Sequence, residues 1–284
     1  MRSTIIALLV LLASSLVQAD GSIEINQACV PAGCFSGDSP GFPVEIGSSG
    51  SYRLSSNLQV PPGADGIVGS APSISLDLAG FELSGPVSCA ADIDFNVNLL
   101  VDVICTGSGG TGIAGVATIE NGTVKGFRDG IEVGADNGGL ALIRNVRVRE
   151  NSQDGIDAGG RALRLTDSTV STNGATGVLG NAASGRLLVT GSIIRENADA
   201  GVYLANGVLR DSLIILNGSG GGVRSNVFPA GSGGLIVDSQ FIRNQSAIIG
   251  QSATGVRNSL FVENDSDISG ATSISGNLCD GASC

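Results

Sequence analysis

The sequence predicts an all-β solenoid of short parallel strands, coiled about nine times. Three observations carry this: the composition, a recurring asparagine, and columns of like residues that keep step with it. Gly supplies 44 of the 284 residues, Trp and His are absent, and Lys occurs once, at Lys125. Good helix formers are therefore scarce, while Val, Ile, Ser, Thr, Asn and Gly abound, which favours strands joined by tight corners.

The asparagines Asn151, Asn173, Asn197, Asn217, Asn244 and Asn264 stand 22, 24, 20, 27 and 20 residues apart, the spacing of a unit that stacks on its neighbours. Three residues before each stand Val148, Val170, Ile194, Ile214, Phe241 and Phe261; eight before stand Ile143, Leu165, Val189, Leu209, Ile236 and Val256. Five before stand Val146, Ser168, Ser192, Ser212, Ser239 and Ser259, and six before the corner formers Asn145, Asp167, Gly191, Asp211, Asp238 and Asn258. Alternation with period 2, broken at corners, makes each unit several short strands rather than a helix. In a parallel stack every side chain lies about 4.8 Å above its counterpart, so aliphatic columns fill the interior. Asn tolerates left-handed backbone angles and is expected to form the bend itself, with its amide bonding along the stack as a ladder. A Gly four residues on, at Gly155, Gly177 and Gly201, opens the next strand.

The elements follow in order. Residues 1–19 read as a secretory signal peptide: Arg2, then the apolar IIALLVLLASSLVQ, with Val17 and Ala19 before a cut at Asp20. Residues 20–50, with Cys29 and Cys34, form an N-terminal cap, and residues 51–265 the coils. Residues 86–112, which contain Cys89 and Cys105, are expected to protrude between coils as a stapled loop, and residues 266–284, with Cys279 and Cys284, to close the far end. Caps are needed because an open coil end is an unpaired strand edge. An even number of cysteines in an exported chain argues for disulfides, here between nearest neighbours, and for a secreted or periplasmic location. Without His or CxxC pairs there is no zinc site. The formal charge of −11 becomes −12 once Arg2 is lost, with 14 basic against 26 acidic residues, which argues against nucleic acid as a partner. No later run of 18 apolar residues predicts a membrane span.

Absence of His removes Ser–His and Cys–His nucleophiles and His-ligated metals. The Gly-rich run GSGGTG at 107–112 lacks the GK[ST] of a phosphate cradle. One constellation is left. Seven of the 15 basic residues, Lys125, Arg128, Arg144, Arg147, Arg149, Arg161 and Arg164, fall within 40 residues. Extending the register back one coil puts Phe127 in the Asn slot and Lys125 in the outward column of Arg149, Ser171 and Arg195. Around the next corner Asp129 and Asp154 precede Gly130 and Gly155, while Glu132 and Asp157 follow Ile131 and Ile156. A solvated face of mixed charge accounts for the same residues. A second feature is an outward apolar strip of Ile193, Leu213, Ile215, Ile242, Leu260 and Val262, expected either to meet a partner protein or a second copy, or to lie under the tail or a loop.

The stretches GSYRLSSNLQV (50–60), SISLDLAGFELSGPVSC (73–89), ATIENGTVKGF (117–127) and SGNLCDGASC (275–284) make the chain resemble right-handed parallel β-helices of the pectin-lyase-like superfamily, and more narrowly a group of secreted bacterial β-helix repeat proteins. The resemblance implies a right-handed helix over roughly residues 42–284. By analogy of fold it implies a binding or surface-structural module that interacts with polysaccharide. The alternative it implies is a Ca²⁺-dependent polyuronide lyase acting by β-elimination. In that case Lys125 would be the base, Arg147 or Arg149 the substrate clamp, and Asp129, Asp154 and Asp157 the calcium ligands. The chain departs from the superfamily's glycosidases and mannuronan epimerases, whose catalytic signatures carry a His.

Overall fold

The structure is a computed structural model that describes residues 21–94, 100–134, 139–180, 186–219, 221–224, 234–249, 254–280 and 282–284; the expected signal peptide lies outside them. Each coil carries three short strands. In one coil they are Ala162–Thr166 on a first face, Thr169–Ser171 on a second and Val178–Gly180 on a third. The first and second faces merge into a 20-stranded sheet and the third forms a 10-stranded sheet, so ten strands bound nine turns. Pairing is parallel and in the register the columns predict: Val148 with Val170, Ile194 and Ile214, and Ile143 with Leu165 and Val189. The third face adds Ile131, Ile156, Val178, Val202 and Val223. These columns are fully buried and form one continuous core, closed in its later coils by the stacked rings of Phe241 and Phe261, 5.0 Å apart.

Two corners per coil bend through the left-handed region. At the first, Asn145, Asp167, Asp211, Asp238 and Asn258 have φ of 49–52°, as expected. At the second the bent residue is not the ladder Asn but the one before it: Glu150, Thr172, Glu196, Leu216, Arg243 and Glu263 have φ of 51–58°. The expectation that Asn makes this bend is corrected. Its side chain is needed elsewhere. Asn151, Asn173, Asn197, Asn217 and Asn244 are fully buried. The Oδ1 of each from Asn173 onward accepts both the backbone N–H and the Nδ2 of the Asn one coil earlier, as Asn197 does from Asn173 at 3.2 and 2.8 Å. The half-buried Asn264 ends the file in the same way. One acceptor therefore satisfies two buried donors, which would otherwise be orphaned by a bend that breaks the strand ladder.

A second ladder, of serine, lines the first corner. The backbone N–H groups of Ser168, Ser192, Ser212 and Ser239 donate to the hydroxyl of the next Ser, and each hydroxyl donates to the carbonyl two residues earlier. The Gly after the Asn is required by close approach. A Cβ on Gly155 would sit 2.6 Å from the Gly177 carbonyl oxygen and 2.7 Å from the Asn173 amide nitrogen, and Gly177 and Gly201 are equally confined.

Three disulfides form between nearest neighbours, Cys29–Cys34, Cys89–Cys105 and Cys279–Cys284, a mark of an extracellular or periplasmic setting. Both ends of the chain join the coil further than the sequence suggests. Ile23–Ile25 already pairs with Tyr52–Leu54, and Val44–Ile46 starts the third face. At the far end Leu278–Cys279 pairs with Leu260 and Phe261, and Ala282–Ser283 turns back antiparallel onto it.

The described strands of the segment expected to protrude lie against the coil instead. Ser88–Asp94 and Leu100–Thr106 form an antiparallel hairpin, and its buried side chains Val87, Cys89 and Val103 pack with Ala198. A Cβ on Gly174 would meet Cys105 Sγ at 3.2 Å, and one on Gly218 the Val101 carbonyl oxygen at 2.7 Å. The hairpin is thus a strap along the second corner. It lies over Gly174, Ala198 and Gly218, the residue after the ladder Asn in three coils, and small side chains there make room for it. Beyond the strap the same position is Gln245 and Asp265.

Candidate functional site

The second face carries Lys125 and Arg149 in one outward column, as the register predicts. Glu82, one coil earlier, bridges them: Lys125 Nζ lies 3.1 Å from one carboxylate oxygen and Arg149 Nη2 3.5 Å from the other, while Arg149 also pairs with Glu150. Glu82 was missed in the sequence because the insertion at 86–112 hides the coil to which it belongs. Carrying the register across that insertion puts it in the column of Thr123 and Arg147.

Around the second corner, on the third face, stand the acids. Asp129 accepts the Asp154 N–H at 3.3 Å and pairs with Arg128 at 2.8 Å; Asp154 accepts the Thr176 N–H at 2.9 Å, and Asp157 the Gly159 N–H at 2.8 Å. Asp65 does the same for Thr111 at 2.7 Å. Asp65, Asp129 and Asp154 therefore staple successive coils, while Asp157 holds a turn in its own coil. Burial, followed by neighbouring carboxylates, raises Glu132 above the usual range. Asp157 is raised by burial first, and burial pushes Asp154 up to about 6. Calcium takes six to eight oxygens. Asp129, Asp154 and Asp157 each have oxygens committed to N–H donors, and among the described residues no three acidic or Cys side chains are placed to hold a metal ion. The set does not fit calcium.

The expected constellation thus lies as two groups on two faces. Among the described residues no ion pair joins Lys125 or Arg149 to Asp129, Asp154 or Asp157. The corner between them is where the strap is anchored, with the Val87 N–H donating to Gly126 at 2.8 Å and Cys105 Sγ lying 3.9 Å from the Asn151 carbonyl oxygen.

Arg147 points elsewhere. It lines a depression of about 210 Å³ at the first corner with Asn121, Thr123, Asn145, Asp167 and Thr169. Next to it on the first face, Glu120, Arg144, Arg164 and Thr166 surround a hollow of about 440 Å³. This shares Ser75 and Thr118 with a third of about 480 Å³, which ends at Arg161. These two join as one furrow along the first face, and the Arg147 depression lies separately at the first corner. Arg144 is paired to Glu120 at 2.5 Å; Arg147 and Arg164 are exposed, and among the described residues neither is in an ion pair. Arg161 is 6% exposed and its guanidinium is pushed below its ordinary value by burial. The sequence shows this arginine cluster, but not that it divides between faces.

The apolar strip is present. Ile193 is exposed and Leu213, Ile215, Ile242, Leu260 and Val262 are half-buried, in two columns of the second face. The tail lengthens the strip rather than covering it: Leu278 pairs beyond Leu260 and is 49% exposed.

A family model described as the right handed beta helix region matches residues 102–277. The chain belongs to the right-handed β-helix family. No curated protein matches this β-helix. Among solved structures it is similar to the Agl-KA catalytic domain, with TM-score 0.44 and 15% identity over 78% of this chain and 51% of that one. It is also similar to the Azotobacter vinelandii mannuronan C-5 epimerase AlgE4 A-module, with TM-score 0.29 and 13% identity over 91% and 97% of the two chains. The β-helix spans about half the length of the Agl-KA domain. Among the described residues no helix is long and apolar enough to cross a membrane.

Proposed function

We propose that this β-helix is an exported binding module for an acidic polysaccharide, which lies across the first face and the first corner. One observation carries the reading: a first-face furrow in which the exposed Arg164 stands among Ser75, Thr118 and Thr166, with a depression at the first corner where the exposed Arg147 stands among Asn121, Thr123 and Asn145. Hydroxyls and amides suit a hydroxylated chain, and guanidinium groups suit its carboxylates. The first-face strand Ala162–Thr166 runs five residues, about 16 Å at roughly 3.3 Å each, room for a few sugar rings. A local basic furrow also answers the objection that a chain of net charge −11 repels polyanions.

Elimination chemistry has less support, because Lys125 is engaged with Glu82 and the carboxylates stand on another face. The deciding experiment is a screen of pectate, alginate and chondroitin, with and without calcium, for both retention and the ultraviolet absorbance of unsaturated product. Retention without product is expected, weakened about tenfold or more in Arg147→Ala/Arg164→Ala by loss of two charge-assisted contacts. Product that vanishes in Lys125→Ala would replace this reading with the lyase.

A further inference from the structure

The end of the furrow holds the one side-chain polar atom among the described residues that is buried without a hydrogen-bond partner, Nη1 of Arg161. The residue is 94% buried by its 6% exposure, and its Nε–H is used by the Gly139 carbonyl at 3.2 Å. Among the described residues no carboxylate pairs with it, although Arg128, Arg144, Arg149, Arg195, Arg210 and Arg243 all have one. A buried charge without a counter-charge is costly, and natural structures keep one where something else supplies the anion.

The surroundings narrow what that anion is. The cavity of about 480 Å³ at Arg161 falls in the range of small-molecule sites, roughly 300–1,000 Å³. Ser73, Ser75 and Thr118 offer hydroxyls, while Pro72 and the exposed side chain of Leu140 supply apolar wall. A single guanidinium is the whole positive charge of this lining, which matches a monoanion better than a phosphate dianion. Its planar edge matches a carboxylate. Hydroxyls beside an apolar wall match a ring with both OH groups and C–H faces.

We infer that the Arg161 cavity is a subsite for one uronate ring, whose carboxylate completes the hydrogen bonding of the buried guanidinium. The subsite rests on the polysaccharide reading for its place in a longer ligand, but its chemistry stands on Arg161 alone. Uronate monomer seats with its carboxylate toward Arg161 and its hydroxyls toward Ser75 and Thr118, and the polymer continues along the furrow past Arg164.

The test uses the full mature chain, by calorimetric titration and thermal melting, with galacturonate, glucuronate, galactose, inorganic phosphate and acetate as probes. One or both uronates should bind and raise the melting temperature, while galactose, phosphate and acetate do not. Arg161→Gln should weaken uronate binding about tenfold or more, while the ligand-free melting temperature stays level or rises because an unpaired buried charge is gone. Arg161→Lys, which keeps the charge but not the fork, should bind in between, and it serves as the test variant if Arg161→Gln does not fold. No response of wild type to either uronate would leave water as the only partner of Nη1 and overturn the inference. So would equal binding by Arg161→Gln, or phosphate binding as tightly as uronate. The two readings fail separately. Polyuronide retained equally by wild type and Arg161→Gln removes the subsite alone, whereas uronate monomer binding with no polyuronide retained removes the polysaccharide module and leaves the subsite.

Discussion

Replacing Asn197 by Ala takes one acceptor out of the middle of the asparagine ladder. Its Oδ1 receives two bonds from Asn173, from the backbone N–H at 3.2 Å and from Nδ2 at 2.8 Å. Both donors are fully buried, and a buried unsatisfied donor costs about 1–3 kcal/mol, so the loss is about 2–6 kcal/mol. Asn217 is affected less, because its Oδ1 keeps the Asn197 backbone N–H at 3.2 Å. For a domain of this size each kcal/mol moves the midpoint by about 2–4 °C, so a fall of roughly 10 °C is expected. Asn264→Ala is the matched control. Its Oδ1 also accepts two bonds from its neighbour, at 2.9 and 3.2 Å, but Asn264 itself is only half-buried and water can take its place, for a cost of about 1 kcal/mol. Thermal melts and urea transitions by circular dichroism, with the urea slope checked for constancy, would measure both. Equal losses in the two variants, or a loss below about 1 kcal/mol for Asn197→Ala, would refute the idea that buried ladder bonds hold the coils together.

Three further outcomes are expected. Gly155→Ala should fail to fold or lose about 3 kcal/mol or more, since its Cβ meets backbone of the next coil at 2.6 Å; Gly134→Ala, with φ of 73° and nothing within 4 Å, should lose about 1 kcal/mol in the same melts. Asp154 holds its proton more tightly folded, up to about 6, than at its ordinary 3.8, so ionisation costs the fold and stability falls as pH rises from about 4 to 6, staying lower above. Asp154→Asn keeps an acceptor for Thr176 and should gain about 2 kcal/mol on wild type across that window, allowing for partial exposure; a gap equal at pH 4 and pH 7 would contradict the sign. Cys89→Ser/Cys105→Ser opens a loop of 16 residues and should lower stability by about 3 kcal/mol, with the strap becoming a preferred site of limited proteolysis while the far-ultraviolet spectrum of the coil persists.

The calcium site expected at Asp129, Asp154 and Asp157 shows where a repeat pattern misleads. Column spacing places these residues near one another, and they are near one another. Spacing says nothing of where each oxygen points, and here one oxygen of each carboxylate is turned toward a backbone N–H of its own or the next coil, while the second of Asp129 faces Arg128. The ladder Asn misled in the opposite direction. Its type suggests a bend, yet the bend belongs to the residue before it, because the file of amides leaves room for no other job. Glu82 carried no signal because an insertion hid its coil, and Arg161, although one of the basic cluster, looks like any surface arginine until its burial is seen.

The sequence alone determined the coil: its period, the parallel register, the inward columns, the first corner and the disulfide pairs. It could do so because a solenoid is held by contacts between neighbouring units, and each of those contacts repeats in the chain as a residue type at a set distance. The tertiary structure decided what does not repeat: that the hairpin strands lie against the coil as a strap, that the basic residues divide between the second face and the first-face furrow, and that one guanidinium nitrogen is buried without a partner. Those depend on single contacts between segments far apart in the chain, which have no period to read.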